Sequence, residues 1–159
     1  MNAAPPILRE VTEASVRAAL AEVPDPEIPA VSVLDLGMVE GVSVDGGAIR
    51  VELLPTFIGC PALDRIREDV AARLATFGRA VDVQFTNRVP WTTERITPAG
   101  RERLRRAGFA PPVVDPADSR CPHCGSADVQ LENLFGPTLC RSLAYCRSCR
   151  QPFEQFKPV

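Results

Sequence analysis

Six cysteines are the side chains in this chain best suited to chemistry, and four of them are spaced for a single task. Cys121-Pro122-His123-Cys124-Gly125 forms one pair, Cys146-Arg147-Ser148-Cys149 forms another, and 21 residues lie between Cys124 and Cys146. A C-x-x-C pair folds as a tight turn that offers two thiolates to one ion, and two such pairs at this separation predict a closed four-sulfur metal site. Gly125 lets the backbone bend beside the sulfurs. Tetrahedral sulfur coordination fits one structural zinc ion per chain, held by Cys121, Cys124, Cys146 and Cys149. The C-P-x-C-G half also suits a rubredoxin-like iron site, so iron stands as the competitor to zinc. His123 sits between two ligands, where its ring has difficulty reaching the same ion, and reads as a solvated turn residue.

Cys60 and Cys140 stand outside that pattern. Pro61 suits the first position of a helix, which places Cys60 at the N-cap. A thiolate there would face unpaired N–H groups and the positive end of the helix dipole, which lowers a thiol pKa and favours nucleophilic or metal-bound chemistry. The same position equally suits a buried capping cysteine with no chemistry. Cys140 falls on an expected hairpin and reads as a small core residue, with a redox role or a second metal contact as the alternative. Asp25, Glu27 and Asp35 lie in an acidic loop. Carboxylates beside a thiolate can help hold a hard or borderline cation, and they can equally cap turns, as Asp25 between two prolines would.

The elements needed to position these groups are legible from patterning. Thr12 predicts the N-cap of a first helix, with Val11 and Val16 as its hydrophobic staple and Val16, Leu20 and Val23 on one face. Pro24 and Pro26 end it. Residues 23–37 read as a Pro-rich loop too interrupted for regular structure. Residues 38–44 and 48–54, joined at Asp45-Gly46-Gly47, predict a β-hairpin in which Ile49, Val51 and Leu53 face inward. A second helix follows Pro61, with Leu63, Ile66, Val70, Leu74 and Phe77 on its buried face and Gly78 at its end. Val81, Val83 and Phe85 alternate as a third strand. Thr97 and Pro98 open an Arg-rich helix over 99–107. Residues 109–118, with three prolines, read as a linker. In the tail, strands over 129–134 and 138–144 would carry one cysteine pair to the other. The fold class is α+β: a small three-stranded sheet packed with helices, then a C-terminal zinc-ribbon β module. The divisions are 1–110, a linker over 111–118, and 119–159. The last piece is too small to fold without a staple, so metal binding should supply most of its folding free energy.

Composition narrows the function classes. The net charge is −2, which argues against a dedicated nucleic-acid binder. Residues 1–91 carry 8 basic and 13 acidic side chains, whereas residues 119–159 carry 5 and 3. Arg101, Arg103, Arg105 and Arg106 could meet phosphate or an acidic partner, but a solvated helical face explains them as well. The first ten residues have no basic start followed by an apolar run, so no secretory signal is expected. No stretch is apolar enough to span a membrane, and a cytoplasmic location is expected. In a reducing compartment the cysteines read as ligands or reactive thiols. The single histidine, with no Ser/His/Asp set and no phosphate loop, predicts a protein that is not itself an enzyme.

Two groups of motifs then bring a known family into view. Asp25-Pro-Glu-Ile-Pro29, Leu34-Asp-Leu-Gly-Met-Val39 and Pro55-Thr-Phe-Ile-Gly-Cys-Pro61 resemble the SufT-like iron–sulfur assembly domain. Trp91-Thr-Thr93, Ile96-Thr-Pro-Ala-Gly-Arg101, Gly108-Phe-Ala-Pro-Pro112, Phe135-Gly-Pro-Thr-Leu-Cys140 and Pro152-Phe-Glu-Gln-Phe-Lys157 resemble the PaaD family, also called PaaJ. Its members are accessory proteins of the phenylacetyl-CoA epoxidase (ring 1,2-oxygenase) of phenylacetate catabolism. The resemblance covers nearly the whole chain. It implies a factor that matures the oxygenase, with Cys60 handling a transient iron–sulfur cluster or iron and the acidic segment of Asp25 and Glu27 beside it. It implies as partners the iron–sulfur reductase or the diiron oxygenase component, and one cysteine per chain suggests a site shared across a homodimer. A structural or electron-transfer subunit with iron in the four-sulfur site is the second reading, and a nucleic-acid-binding ribbon the third.

Overall fold

The computed structural model describes residues 10–158. Residues 1–9, where the expectation about a leader falls, lie outside the described residues. Helix α1 (Glu13–Leu20) starts where Thr12 predicts it. The Thr12 hydroxyl accepts from the Ser15 N–H at 3.2 Å and the Ser15 hydroxyl accepts from the Thr12 N–H at 3.0 Å, a reciprocal cap. Val16 and Leu20 are fully buried.

The Pro-rich loop that follows is irregular, as expected, yet it supplies much of the core. Val23, Ile28, Val31, Val33, Leu36 and Met38 are all buried. Buried irregular backbone must still satisfy its polar groups. It does so by cross-links within the loop, Asp25 N–H to Val31 O at 2.9 Å and Val33 N–H to Val23 O at 3.0 Å.

Strands β1 (Val39–Asp45) and β2 (Ala48–Leu53) pair antiparallel through Gly46 and Gly47. Both glycines have positive φ, 53° and 99°, as a two-residue hairpin turn requires. Helix α2 (Leu63–Ala75) crosses over to β3 (Ala80–Phe85), which lies parallel to β2. Ile49, Val51 and Leu53 are buried on the same side as Ile66, Val70 and Leu74, because strand period two and helix period 3.6 both aim apolar side chains at one layer. The other sheet face is polar, with Ser43, Arg50, Glu52, Asp82 and Gln84 around a shallow depression.

Helix α3 (Pro98–Arg106) is capped by Thr97, whose hydroxyl accepts from the Gly100 N–H at 2.9 Å. It lies against the Asp35 segment so closely that a Cβ on Gly100 would sit 2.6 Å from the Asp35 carbonyl oxygen. That contact gives the Leu-Asp-Leu-Gly and Thr-Pro-Ala-Gly motifs a shared packing role. The arginines of α3 are mostly engaged within the chain. Arg101 donates to the Thr93 and Pro112 carbonyls, Arg103 pairs with Asp35, and Arg105 and Arg106 pair with Glu102.

The tail forms a second sheet in the order β4-β7-β6-β5, from β4 (Phe109–Ala110), β5 (Val129–Asn133), β6 (Arg141–Cys146) and β7 (Pro152–Phe156). Two features differ from the sequence expectation. The second hairpin strand starts at Arg141 rather than Thr138, because residues 138–140 are held in a turn by Arg141 N–H to Thr138 O and Gly136 N–H to Arg141 O. The third strand, β7, has no counterpart in the expected pattern, and Phe109–Ala110, read as the start of the linker, pairs with it in parallel.

The ribbon's own core is small: Ala110, Cys121, Ala144, Cys146 and Phe153. Phe156 instead joins the larger N-terminal core. Its ring meets Trp91 at 5.9 Å between centroids, while the Trp91 indole N–H donates to the Leu36 carbonyl at 2.7 Å. Trp91 thereby ties the acidic loop, the chain before α3 and the last ribbon strand together.

Candidate metal and thiol sites

The two C-x-x-C turns converge. The four sulfurs of Cys121, Cys124, Cys146 and Cys149 all lie within 4.8 Å of one another. Cys121 to Cys149 and Cys124 to Cys146 are each 3.6 Å. Four sulfurs around a zinc ion at about 2.3 Å would stand about 3.8 Å apart, so the set fits a tetrahedral ion. Each turn ends on a residue of positive φ, Gly125 at 76° and Arg150 at 59°. Glycine takes that conformation freely; arginine does so at a cost that sulfur-to-metal bonding can offset. The Cys149 N–H aimed at Cys146 is the main influence holding that thiol at about 7, below its ordinary value. Burial first, then the crowding sulfurs, pushes Cys149 up to about 12. Four thiols at this spacing cannot all ionise alone, whereas a divalent cation among them makes every thiolate favourable. His123 is exposed and meets the Phe153 ring edge-on at 6.5 Å, outside the ligand set, as expected.

Cys60 is placed differently from the expectation. Helix α2 begins at Leu63 and its N-cap is Ala62, so Cys60 lies two residues ahead of the cap, in a turn where its N–H donates to the Phe57 carbonyl at 3.2 Å. The Cys60 thiol is pushed up from its ordinary value, first by burial; the Ala62 N–H opposes this, and Cys140, Asp25 and Glu27 add to it. The activated low-pKa thiolate expected from an N-cap is therefore not what the turn builds. The difference arises because Pro61 starts a turn rather than the helix proper.

Cys60 opens onto a groove of about 330 Å³ between the N-terminal layer and the ribbon. Phe57 and Pro61 line one side; Phe135, Pro137, Leu139 and Cys140 line the other, with Glu27 and Lys157 at the rim. Cys140 thus comes from the turn before β6 to share a groove with Cys60. Both are half-buried. The Thr138 hydroxyl lies 3.2 Å from the Cys140 sulfur. A Cβ on Gly136 would meet the Arg141 carbonyl at 2.7 Å, which explains the glycine in the Phe-Gly-Pro-Thr-Leu-Cys segment.

Of the three acidic residues, Glu27 reaches this groove and the other two have local tasks. The Asp25 carboxylate accepts the Glu27 and Ile28 N–H groups at 2.8 and 2.9 Å, which caps the loop turn; burial raises its pKa. Asp35 accepts the Ser32 N–H at 3.0 Å and pairs with Arg103 at 2.5 Å, on the α3 side and not among the groove's residues.

Sequence reasoning passes over Arg141. It is 6% exposed, pairs with Glu154 at 2.7 Å and Glu27 at 3.6 Å, and stacks over the Phe109 ring at 5.4 Å. It joins the loop that carries Glu27 to the ribbon sheet directly beside Cys140. Its only sequence signal is its adjacency to Cys140.

Residues 113–157 match the PaaD zinc beta ribbon domain, and residues 13–85 match the iron–sulfur cluster assembly protein family. The chain is 38% identical to an Escherichia coli K12 protein named as a component of 1,2-phenylacetyl-CoA epoxidase, over 98% of this chain and 96% of that one. It is 33% identical to an Fe-S protein maturation auxiliary factor of Porphyromonas gingivalis, over 62% of this chain and 92% of that one. Among solved structures, a domain of unknown function (DUF59) from Bacillus anthracis aligns with a TM-score of 0.54 at 29% identity, covering 58% of this chain and 90% of that one. A conserved hypothetical protein from Thermotoga maritima aligns with a TM-score of 0.52 at 30% identity, covering 60% of this chain and 96% of that one.

Proposed function

The chain belongs to the PaaD family, and on that footing we propose that it matures the phenylacetyl-CoA epoxidase system by delivering iron or an iron–sulfur cluster to one of its components. The recipient is the iron–sulfur reductase or the diiron oxygenase component, and the work is done in the cytoplasm. The observation that carries this reading is the separation of sulfur into two places: a closed clasp in the ribbon, and a half-buried Cys60 open to a groove. The clasp has no position left for cargo, so zinc there is structural. A cargo must be able to leave, and Cys60, outside any ligand cluster of three or more among the described residues, suits transient binding. The relatives named as an epoxidase component and a maturation factor support the same role.

The test is to co-produce the epoxidase components with the wild-type protein or with Cys60→Ala, then measure iron per oxygenase and per reductase. The expected result is a several-fold loss of iron in one component, with the zinc content of the variant unchanged. Full loading by the variant would remove Cys60 from the mechanism.

A further inference from the structure

We propose that Cys60 and Cys140 together form a two-thiolate site for a thiophilic divalent cation, iron(II) when loaded, so that the ribbon supplies the second sulfur of the cargo site. The inference rests on the cargo reading of Cys60 and extends it to a residue in the other module.

Three observations converge. The two cysteines come from different sheets' connections yet line one groove. Neither is sealed in the core: both are half-buried. The groove also carries the Glu27 carboxylate, with Asp25 close enough to act on Cys60. Thiols gathered with carboxylates repel one another as anions, and a cation among them removes that repulsion. Burial first, and then these neighbours, make Cys60 a poor free nucleophile; a cation in the groove would let it ionise as a ligand.

Binding is a ligand exchange without electron transfer. The cation exchanges two waters for two sulfurs, each thiol gives its proton to solvent, and the iron stays iron(II). Two thiolates leave coordination positions for water or for ligands outside this chain, consistent with a site that releases its ion. This gives the ribbon a second task. Arg141 and Trp91 lock it to the N-terminal layer, and the lock sets where Cys140 stands.

The test uses the full zinc-loaded chain under anaerobic conditions, with cobalt(II) as the spectroscopic probe. Cobalt binding is followed by sulfur-to-cobalt charge transfer, and retained zinc is assayed in the same samples. Wild type should bind one further cobalt. Cys60→Ser and Cys140→Ser should each weaken it by more than about tenfold, the low end of the effect of losing even an outer-shell partner. A Cys140→Ser protein that keeps its zinc and binds cobalt like wild type, while Cys60→Ser does not, overturns the two-thiolate site and leaves the Cys60 reading standing. Cobalt binding unaffected by either change overturns both. A second measurement needs no variant: cobalt should shield both Cys60 and Cys140 of the wild type from iodoacetamide, mapped by mass. Cys140 alkylated equally with and without cobalt contradicts the proposal.

Discussion

The clasp and the groove use the same element in opposite ways. In the clasp, four sulfurs from two local turns are brought to tetrahedral spacing by the β5–β6 hairpin that joins them. In the groove, two cysteines far apart in the chain are brought to one surface by packing, by the Arg141 ion pairs and by the Trp91–Phe156 contact. The clasp is written in two short motifs and one hairpin. The groove is assembled by tertiary structure alone.

The largest way to break this contrast is to remove the metal. The ribbon core has five buried residues, two of them ligands, so its folding depends on an ion whose binding is worth on the order of 10 kcal/mol. After chelation, amide exchange protection in β5, β6 and β7 should be lost, while β1–β3 keep theirs. Ribbon strands that stay protected without metal would show that burial alone sustains the tail.

A smaller effect is expected from Arg141→Ala. Removing a buried guanidinium leaves the half-buried Glu154 unpaired and frees the exposed Glu27, and should lower stability in urea by about 3 kcal/mol, the low end for a broken buried pair. The clasp should keep its metal, since no ligand is touched. A loss below about 0.5 kcal/mol would place the lock elsewhere.

The smallest effect is in the reactivity of Cys60. A thiol whose pKa is raised has less thiolate at any given pH, so alkylation should be slow near neutrality and still climbing at about pH 9. A rate that levels off well below that pH would restore the activated thiolate that the sequence suggests.

How much can be read beforehand follows the same local-versus-tertiary line. The cap at Thr12, the Gly46-Gly47 turn, the faces of α2 and β2, the helix start at Thr97 and the two C-x-x-C turns of the clasp depend on neighbours a few residues apart, and they stand where patterning places them. Strand β7 escapes patterning because Pro152-Phe153-Glu154-Gln155-Phe156 has weak alternation and becomes a strand only by lying between β4 and β6. The N-cap of α2 falls two residues later than Cys60 because proline suits a turn as well as a helix start. Asp25, Glu27 and Asp35 look alike in sequence. Their separate fates depend on which N–H groups and arginines the fold brings to them. That Cys140 and Cys60 share a groove has no local signal at all.

The most direct measurement of the division of sulfur is element-resolved metal content of protein purified anaerobically from cells without metal supplements, for wild type and Cys60→Ala. One zinc per chain is expected in both, with iron present in wild type and absent from the variant. Iron in place of zinc in the clasp, or equal iron in both proteins, would contradict that division.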